Sequence, residues 1–183
     1  MPLSSPLDET ADTVCKILAP LRSGLSLAVV AAGNPFAIGA IIRVCHSYLV
    51  KEVILLGSES YYEKASMGMH RFEQVVRVPD EETFFRYVAG RPLWGLEREP
   101  ARRSLEDVTA YPDNLVLCAG SERFGLPPSL LSRCDDVVAI PLYGVNNSLP
   151  VTVAVGIALA HWARVRYRPG TIVLGPKRTR LAF

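Results

Sequence analysis

The chain has 183 residues, 49% of them apolar and 21% charged, which is long enough to bury the core of one domain and too apolar for a disordered polypeptide. No apolar run reaches the roughly 20 residues of a membrane-spanning helix, and the start, "MPLSSPLDET", lacks the basic and apolar regions of a secretory signal. The net charge of +2 favours no class of partner. Four scattered cysteines favour free thiols in a reducing compartment over disulfides or zinc ligands, so we expect a cytoplasmic protein.

The apolar pattern alternates between helical and strand-like segments along the whole chain. In chain order it predicts a helix over 5–22, a strand over 25–31, a helix over 34–49, strands over 52–57 and 74–78, a helix near 80–89, a weak strand over 92–97, a strand over 114–120, a short helix over 128–134, a strand over 136–142 and a long final helix from about Ser148. Such alternation predicts an α/β fold with a mainly parallel sheet and helices on both faces.

Three predicted helix starts carry capping signals. Ser5 is a candidate cap for the first helix, and Asn34 is followed by Pro35, which suits a first helical turn. Ser148 stands before Pro150 in the same arrangement at the start of the final helix. In parallel sheets, ligands bind where strands end and such helices begin, so these loops are the first places to look for a site.

Three loops fall at these positions, namely 32–37, 119–128 and 142–150. None contains G-x-G-x-x-G or G-x-x-x-x-G-K-[ST], so a common dinucleotide site or P-loop has little support. The loop "LYGVNNSLP" offers backbone groups and small polar side chains at a helix start, which suits a small ligand held largely by backbone. Taken alone, the loop is equally compatible with an ordinary capped helix, and an unrelated α/β protein with a phosphate or nucleotide ligand stays open.

The same three regions resemble a known family. The segments "NPFAIGAIIR" (34–43), "LVLCAGSERFGLPPSLLSRCDDVVAIPLYG" (115–144) and "SLPVTVAVGIAL" (148–159) are similar, in order and spacing, to the three motifs of the SpoU-like (TrmH-type) branch of the SPOUT methyltransferases. These proteins methylate RNA ribose 2′-hydroxyls with S-adenosylmethionine. The likeness extends over about residues 25–165.

The resemblance implies one SPOUT domain over 1–183, with an N-terminal helical extension (1–24), a C-terminal deep trefoil knot and a basic tail (167–183). It also implies that the knot binds the bent cofactor mainly through backbone groups, and that no metal takes part. By position, the implied cofactor-binding residues are Leu96, Gly120, Ile140, Leu142, Ser148 and Leu149.

The resemblance further implies catalytic roles for Arg43, Glu122 and Ser148. Arg43 would orient the RNA phosphate and help activate the hydroxyl, although arginine is a poor general base because its pKa lies far above neutrality. Arg43 lies roughly 13 Å along its helix from Asn34 at ~1.5 Å per residue, and Gly39, one turn earlier, would admit another backbone. Both features fit the family's homodimers, in which two subunits share each pocket.

The sequence also departs from the family pattern. Ala37 and Pro150 stand where the family usually has asparagines, which leaves a knotted dimer that binds RNA or cofactor with weak or no turnover as the alternative function. RNA, either tRNA or rRNA, is the expected partner, and methylation of a base stays open. The candidate RNA contacts are Arg43, Arg71, Arg102, Arg103, Arg123 and the basic tail, since residues 161–183 hold six basic and no acidic residues.

Overall fold

The computed structural model describes residues 10–166. Seven strands form one sheet in the order β3-β2-β1-β6-β4-β7-β5, and every neighbouring pair is parallel. The strands are β1 (Ser26–Val30), β2 (Val53–Leu56), β3 (Val75–Val78), β4 (Leu93–Leu96), β5 (Arg103–Ser104), β6 (Val116–Ala119) and β7 (Asp136–Ala139). The predicted α/β class is confirmed, while the short edge strand β5 was not predicted.

The described part of the chain also contains five α-helices and four 3-10 turns, and the first helix precedes β1 while the last follows β7. The helices are α1 (Ala11–Leu18), α2 (Pro35–Ser47), α3 (Glu81–Tyr87), α4 (Pro128–Leu131) and α5 (Val151–Arg166). The 3-10 turns are Ala19–Leu21, Glu63–Ser66, Met69–Arg71 and Leu105–Asp107.

The core has two layers because the sheet is buried on both faces. Along β1, Leu27 and Val29 point into the layer under α2 and α5, whereas Ala28 between them points into the layer under α3 and α4. Each of the three is at most 3% exposed. A strand covered on both faces reads as a continuous apolar run, which is why 25–31 was recognisable in the sequence. Helices on both faces are therefore confirmed.

Helix α2 begins as predicted but uses its glycine differently. The Asn34 side chain accepts a hydrogen bond of 3.0 Å from the Ala37 N–H, so the predicted cap is confirmed. A Cβ atom on Gly39 would overlap the Tyr62 carbonyl and lie 3.0 Å from the Ala65 Cβ. The backbone that approaches Gly39 therefore belongs to the same chain, and the link drawn from Gly39 to a partner subunit was wrong.

Two other predicted helix starts differ from the structure. Thr10 caps α1 by accepting from the Thr13 N–H, and the predicted cap Ser5 lies outside the described residues, as does the basic tail from residue 167 onward. Helix α5 begins at Val151 rather than near Ser148, so Ser148 is not its cap. Pro150 precedes the helix and accepts hydrogen bonds at its carbonyl from the Val153 and Ala154 N–H groups.

The amino-terminal edge of the sheet holds two buried carboxylates, each paired on several sides. Glu73, whose side chain is 0% exposed, accepts two hydrogen bonds from the Arg22 guanidinium at 2.8 and 2.9 Å. Its Oε1 also lies 2.7 Å from the His46 Nδ1. These groups join the segment after α1 to the end of α2 and the start of β3.

Glu52, at the start of β2, has the second network. Its carboxylate accepts from Ser26 at 2.9 Å, from Arg91 at 2.8 Å and from the Tyr87 hydroxyl at 2.5 Å. Burial opposes ionisation, but these hydrogen bonds prevail and hold the pKa of Glu52 below its ordinary value. The buried charge is therefore stabilised as an anion.

Candidate functional site

A cavity of about 590 Å³ opens at the opposite, carboxyl-terminal edge of the sheet. It lies where β4, β6 and β7 end, since Leu96 closes β4, Gly120 follows β6 and Ile140 follows β7. Its walls are formed by the segments 96–99, 120–126 and 147–149, together with Pro128, Leu131, Ile140, Leu142, Val151 and Ala154. This volume falls within the range of small-molecule sites.

The loop 120–126 forms one wall and is tightly closed. Ser121 and Gly125 exchange backbone hydrogen bonds of 3.0 and 3.1 Å, and the Ser121 hydroxyl accepts from the Phe124 N–H at 3.0 Å. A Cβ atom on Gly120 would lie 2.5 Å from the Gly125 Cα, and Gly125 itself has a φ of 65°. Only glycine therefore fits at position 120 without moving the loop.

Glu97, the residue after β4, fastens this loop to the sheet. One carboxylate oxygen accepts from the Leu126 N–H at 3.0 Å and the other accepts from the Arg98 N–H at 2.9 Å. Glu97 was not predicted as a site residue, although the sequence shows an acidic residue directly after a buried strand.

Glu122 connects the second motif to the third. Its Oε2 accepts a hydrogen bond of 3.0 Å from the N–H of Val151, the first residue of α5. This contact satisfies one of the N–H groups that a helix start leaves without an intrahelical partner, and it places negative charge at the positive end of the helix dipole. Glu122, and not Ser148, is thus the cap of α5.

The loop 143–148, whose last two residues line the cavity, is exposed throughout. Asn146 accepts from the Ser148 N–H at 3.4 Å and donates to the Ser148 carbonyl at 2.8 Å, and the Arg98 side chain donates to the Asn147 carbonyl at 3.4 Å. The loop is held mainly by its own short-range contacts, so much of its backbone remains available for a ligand.

The structure brings together most of the residues predicted from the sequence. The cavity is lined by all six predicted cofactor-binding residues, Leu96, Gly120, Ile140, Leu142, Ser148 and Leu149, and also by Glu122 and Arg123. Arg43 is exposed on α2 and is not among the lining residues.

The remaining predicted RNA contacts lie elsewhere. Arg71 belongs to the 3-10 turn Met69–Arg71, near the amino-terminal edge of the sheet. Arg102 donates to the Asp135 carbonyl at 2.6 Å, and Arg103 pairs with Asp136 at 2.6 Å with its guanidinium 4.8 Å from the Trp94 ring centroid. These last two arginines have structural partners that compete with RNA.

A second cavity of about 470 Å³ lies beside α5, beyond Ile140. His161 lines it, with its Nδ1 2.8 Å from the Tyr111 hydroxyl, while its buried Nε2 has no hydrogen-bond partner. Burial, and then the Arg164 charge, lower the pKa of His161 below its ordinary value. Burial also raises the pKa of Tyr111 to about 12.

Between residues 10 and 166, no group of three or more His, Cys, Asp or Glu side chains is arranged to hold a metal ion. Over the same span, none of the helices has the length and hydropathy needed to cross a membrane.

Comparison with known proteins identifies relatives of this domain. The model of the SpoU rRNA Methylase family matches residues 24–160. An uncharacterised tRNA/rRNA methyltransferase of Mycobacterium tuberculosis is 44% identical over 66 residues, which are 36% of this chain and 20% of the relative. The match thus spans about a fifth of that relative's length.

Two further relatives match over most of this chain. The tRNA (guanosine(18)-2′-O)-methyltransferase of Thermus thermophilus is 25% identical over 142 residues, covering 75% of this chain and 73% of the relative. The crystal structure of the SpoU methyltransferase AviRb from Streptomyces viridochromogenes in complex with AdoMet superposes with a TM-score of 0.71 at 26% identity. That superposition covers 82% of this chain and 61% of AviRb.

Proposed function

The chain belongs to the SpoU rRNA methylase family, and from this premise we propose that it transfers the methyl group of S-adenosylmethionine to a ribose 2′-hydroxyl of tRNA or rRNA. One observation carries the proposal: the six residues that the sequence resemblance predicts as cofactor contacts all line a single cavity at the carboxyl ends of β4, β6 and β7. The similarity to the tRNA 2′-O-methyltransferase of Thermus thermophilus supports the reaction, and the AdoMet complex of AviRb supports the cofactor.

The cavity suits S-adenosylmethionine in size and in chemistry. Apolar side chains such as Leu96, Leu142 and Leu149 can enclose the adenosine, while backbone groups near Gly120 and Ile140 can bind its polar atoms. Glu97 and Glu122 place negative charge at the wall, which favours a ligand that carries a sulfonium and an ammonium group. The close approach of the Gly125 backbone to Gly120 supports the same interpretation, because the lack of a side chain at Gly120 allows the loop wall to close.

The bound cofactor supplies an electrophilic methyl group with a neutral leaving group. The residues of this chain then have to hold the ribose hydroxyl in line with that methyl and lower the barrier to loss of its proton. Glu122 fixes the loop 120–126 against the start of α5, and Ser148 lines the same cavity. Arg43 supplies positive charge to orient the adjacent phosphate rather than acting as a literal base.

We further propose that the active unit is a homodimer. Arg43 lies on the exposed side of α2, outside the cavity of its own chain, so its role at a cavity calls for a second copy. Large apolar side chains are exposed on the two helices that pack together on this face, Phe36 at 61% on α2 and Val153 at 45% on α5. A dimer through this face would cover them and bring Arg43 to the partner's cavity.

The same family membership supports three coarser proposals. These are a single SPOUT domain, passage of the last third of the chain through a trefoil knot, and work in the cytoplasm, where tRNA and rRNA are found. The position of β4 between β6 and β7, although β4 precedes both in the chain, is compatible with such threading. Arg123 at the cavity wall is the proposed RNA contact of the core, with Arg71 and the basic tail as more remote ones.

The test of the function is incubation of the purified protein with methyl-labelled cofactor and total RNA, followed by nucleoside analysis. We expect label in 2′-O-methylated nucleosides and retention of cofactor binding by calorimetry. Label in a methylated base would show that the acceptor is an atom of the base and not the ribose 2′-hydroxyl. Tight cofactor binding without any labelled RNA would instead support the alternative function. In that case the protein binds RNA or cofactor without turnover, as the replacement of the two family asparagines by Ala37 and Pro150 allows.

Mixed dimers test the composite pocket. Arg43→Ala removes the arginine that a chain contributes to its partner's pocket, whereas Gly120→Ala disturbs the cavity of the chain that carries it. At limiting cofactor concentration, each homodimer should therefore have little activity. In a co-refolded mixture, one pocket per mixed dimer combines an intact cavity with an intact Arg43, and activity should return. Activity that stays absent in demonstrated mixed dimers would contradict the exchange of Arg43.

A further inference from the structure

An aromatic ring stands unusually exposed at the wall of the cavity. Phe124 is 73% exposed, yet it lines the same cavity as Gly120, Ser148 and Leu149. Exposed apolar side chains scattered singly need no explanation, but one at the mouth of a proposed active site indicates contact with something outside the chain.

The backbone of the loop that carries this ring is held in place by hydrogen bonds. The Phe124 N–H donates to the Ser121 hydroxyl, the Ser121–Gly125 pair closes the loop on either side, and the Glu97 carboxylate accepts from the next N–H at Leu126. The ring is therefore presented from a backbone that is already fixed, so little of the loop's conformational freedom is lost when a ligand binds to it.

The charge around the ring identifies the kind of ligand. The Arg123 guanidinium lies 5.4 Å from the Phe124 ring centroid. Arg98, about half exposed, lies on the same cavity wall but is paired with Glu99 at 2.8 Å, so we assign the role of the cation to Arg123. An aromatic face beside guanidinium groups is the combination that binds unpaired bases and their phosphates in single-stranded RNA. A purely apolar partner surface would gain nothing from the Arg123 cation.

We propose that Phe124, flanked by Arg123, is a stacking platform for an unpaired base of the RNA next to the ribose that enters the cavity. This inference rests on the proposed function and adds to it the form of the substrate, which must be single-stranded or unstacked at this point. The base need not be of one kind, because every base presents a π face.

The experiment compares Phe124→Leu, Phe124→Ala and Phe124→Trp with the wild type. Binding of a fluorescent oligouridylate and of an RNA duplex of equal length is measured at fixed salt, and cofactor affinity is measured separately by calorimetry. We expect Leu and Ala to weaken single-strand binding about 5- to 150-fold, and Trp to preserve it. Duplex binding and cofactor affinity should change less than about twofold, which lies within the scatter of surface substitutions.

Two control variants sharpen the result. Leu21→Ala removes another half-exposed apolar side chain, at the amino-terminal edge of the sheet, and should leave RNA binding unchanged. Arg123→Gln should reduce the salt dependence of single-strand binding by about 0.7 in the log–log slope, whereas Phe124→Leu should leave that slope intact.

Several outcomes would contradict the proposal that Phe124 is a stacking platform. Equal single-strand binding by the Leu variant and the wild type would show that the ring's π face is not used, and absence of binding by the wild type would do the same. A parallel loss of cofactor affinity would place the cofactor's adenine on the ring instead. These outcomes are separate from failure of the methylation assay, because RNA binding can depend on Phe124 whether or not a methyl group is transferred.

Discussion

The two edges of the sheet treat their polar groups in opposite ways. At the amino-terminal edge, Glu73 and Glu52 are buried and surrounded by partners from their own chain. At the carboxyl-terminal edge, Glu97 accepts from N–H groups of loops and Glu122 from the first N–H of α5, and the backbone of 143–148 is left open to solvent. The same sheet thus keeps one edge closed for stability and the other open for a ligand.

This difference separates two kinds of charged residue that look alike in a sequence. A buried carboxylate with a full set of partners contributes chiefly to the cohesion of the fold, because removal of one partner leaves another charge stranded. A carboxylate that organises an open loop contributes to the shape of a site. Substitutions at the two edges should therefore separate stability from ligand binding.

The largest effect is expected from Glu73→Ala. It strands the buried Arg22 guanidinium and should lower the free energy of unfolding by about 3–5 kcal/mol. Urea titration measures this, and Glu63→Ala, at a side chain 70% exposed, is the control, with an effect of about 1 kcal/mol or less. Cofactor affinity measured under conditions where the variant is folded should stay near that of the wild type. A selective loss of cofactor affinity would break the contrast between the edges.

Gly120→Ala should impair cofactor binding, which is the property that Glu73→Ala is expected to leave unchanged. The added methyl group collides with the Gly125 backbone and forces the loop wall to move, at a cost of about 1–3 kcal/mol. We expect cofactor affinity to fall at least about tenfold, which corresponds to 1.4 kcal/mol, as measured by calorimetry. The matched control is Gly144→Ala in the exposed loop, where the nearest atom to the added Cβ is 4.0 Å away. Equal affinities for the two variants would contradict the closed-wall description.

Glu122 combines both functions, so its variants sharpen the comparison. Glu122→Ala removes the cap of α5 and should cost about 1 kcal/mol of stability. Glu122→Gln keeps an oxygen that accepts from Val151 and should recover most of that stability. If the carboxylate also acts during methyl transfer, the Gln variant will remain stable and still lose turnover; if it acts only as a cap, Gln will restore both.

The smallest expected effect is on the free energy of unfolding at acidic pH. A group whose pKa is lowered in the folded state stabilises the fold above its unfolded pKa, and this contribution is lost as the pH falls. His161 is such a group, so the free energy of unfolding should begin to fall below about pH 6.5. His161→Phe keeps the ring beside Tyr111 and should flatten that part of the pH profile. A profile unchanged by this substitution would show that other groups dominate.

The sequence predicted the elements that depend on local pattern. The buried strands from 25 to 142 are short apolar runs, and the Asn34–Pro35 pair marks the start of α2, so both could be recognised without the fold. Strand β5 could not be, because two polar residues, Arg103 and Ser104, form a strand only through pairing with β7. The family motifs correctly indicated a common location for Gly120, Ile140 and Leu149.

The contacts that shape the site depend on tertiary structure, and these escaped prediction. Ser148 looked like the cap of α5 from its neighbours alone, yet Glu122, 29 residues earlier, accepts the hydrogen bond from Val151. Gly39 indicated a close backbone approach correctly, but only the structure identifies Tyr62 as the residue that approaches. Local spacing predicts that a contact is needed and does not identify the partner.

Strand β6 has a consequence for how the protein is made. It pairs with β1 on one side and β4 on the other, and it alone joins the strands β1 to β3 to the strands β4, β5 and β7. While the ribosome has not yet released Val116–Ala119, the nascent chain can form only the β1–β3 part of the sheet, because β4 and β5 pair with β6 or β7 and not with each other. Assembly of the domain must therefore await the last third of translation, and until then the central edges of β1 and β4 are exposed surfaces for chaperones to protect.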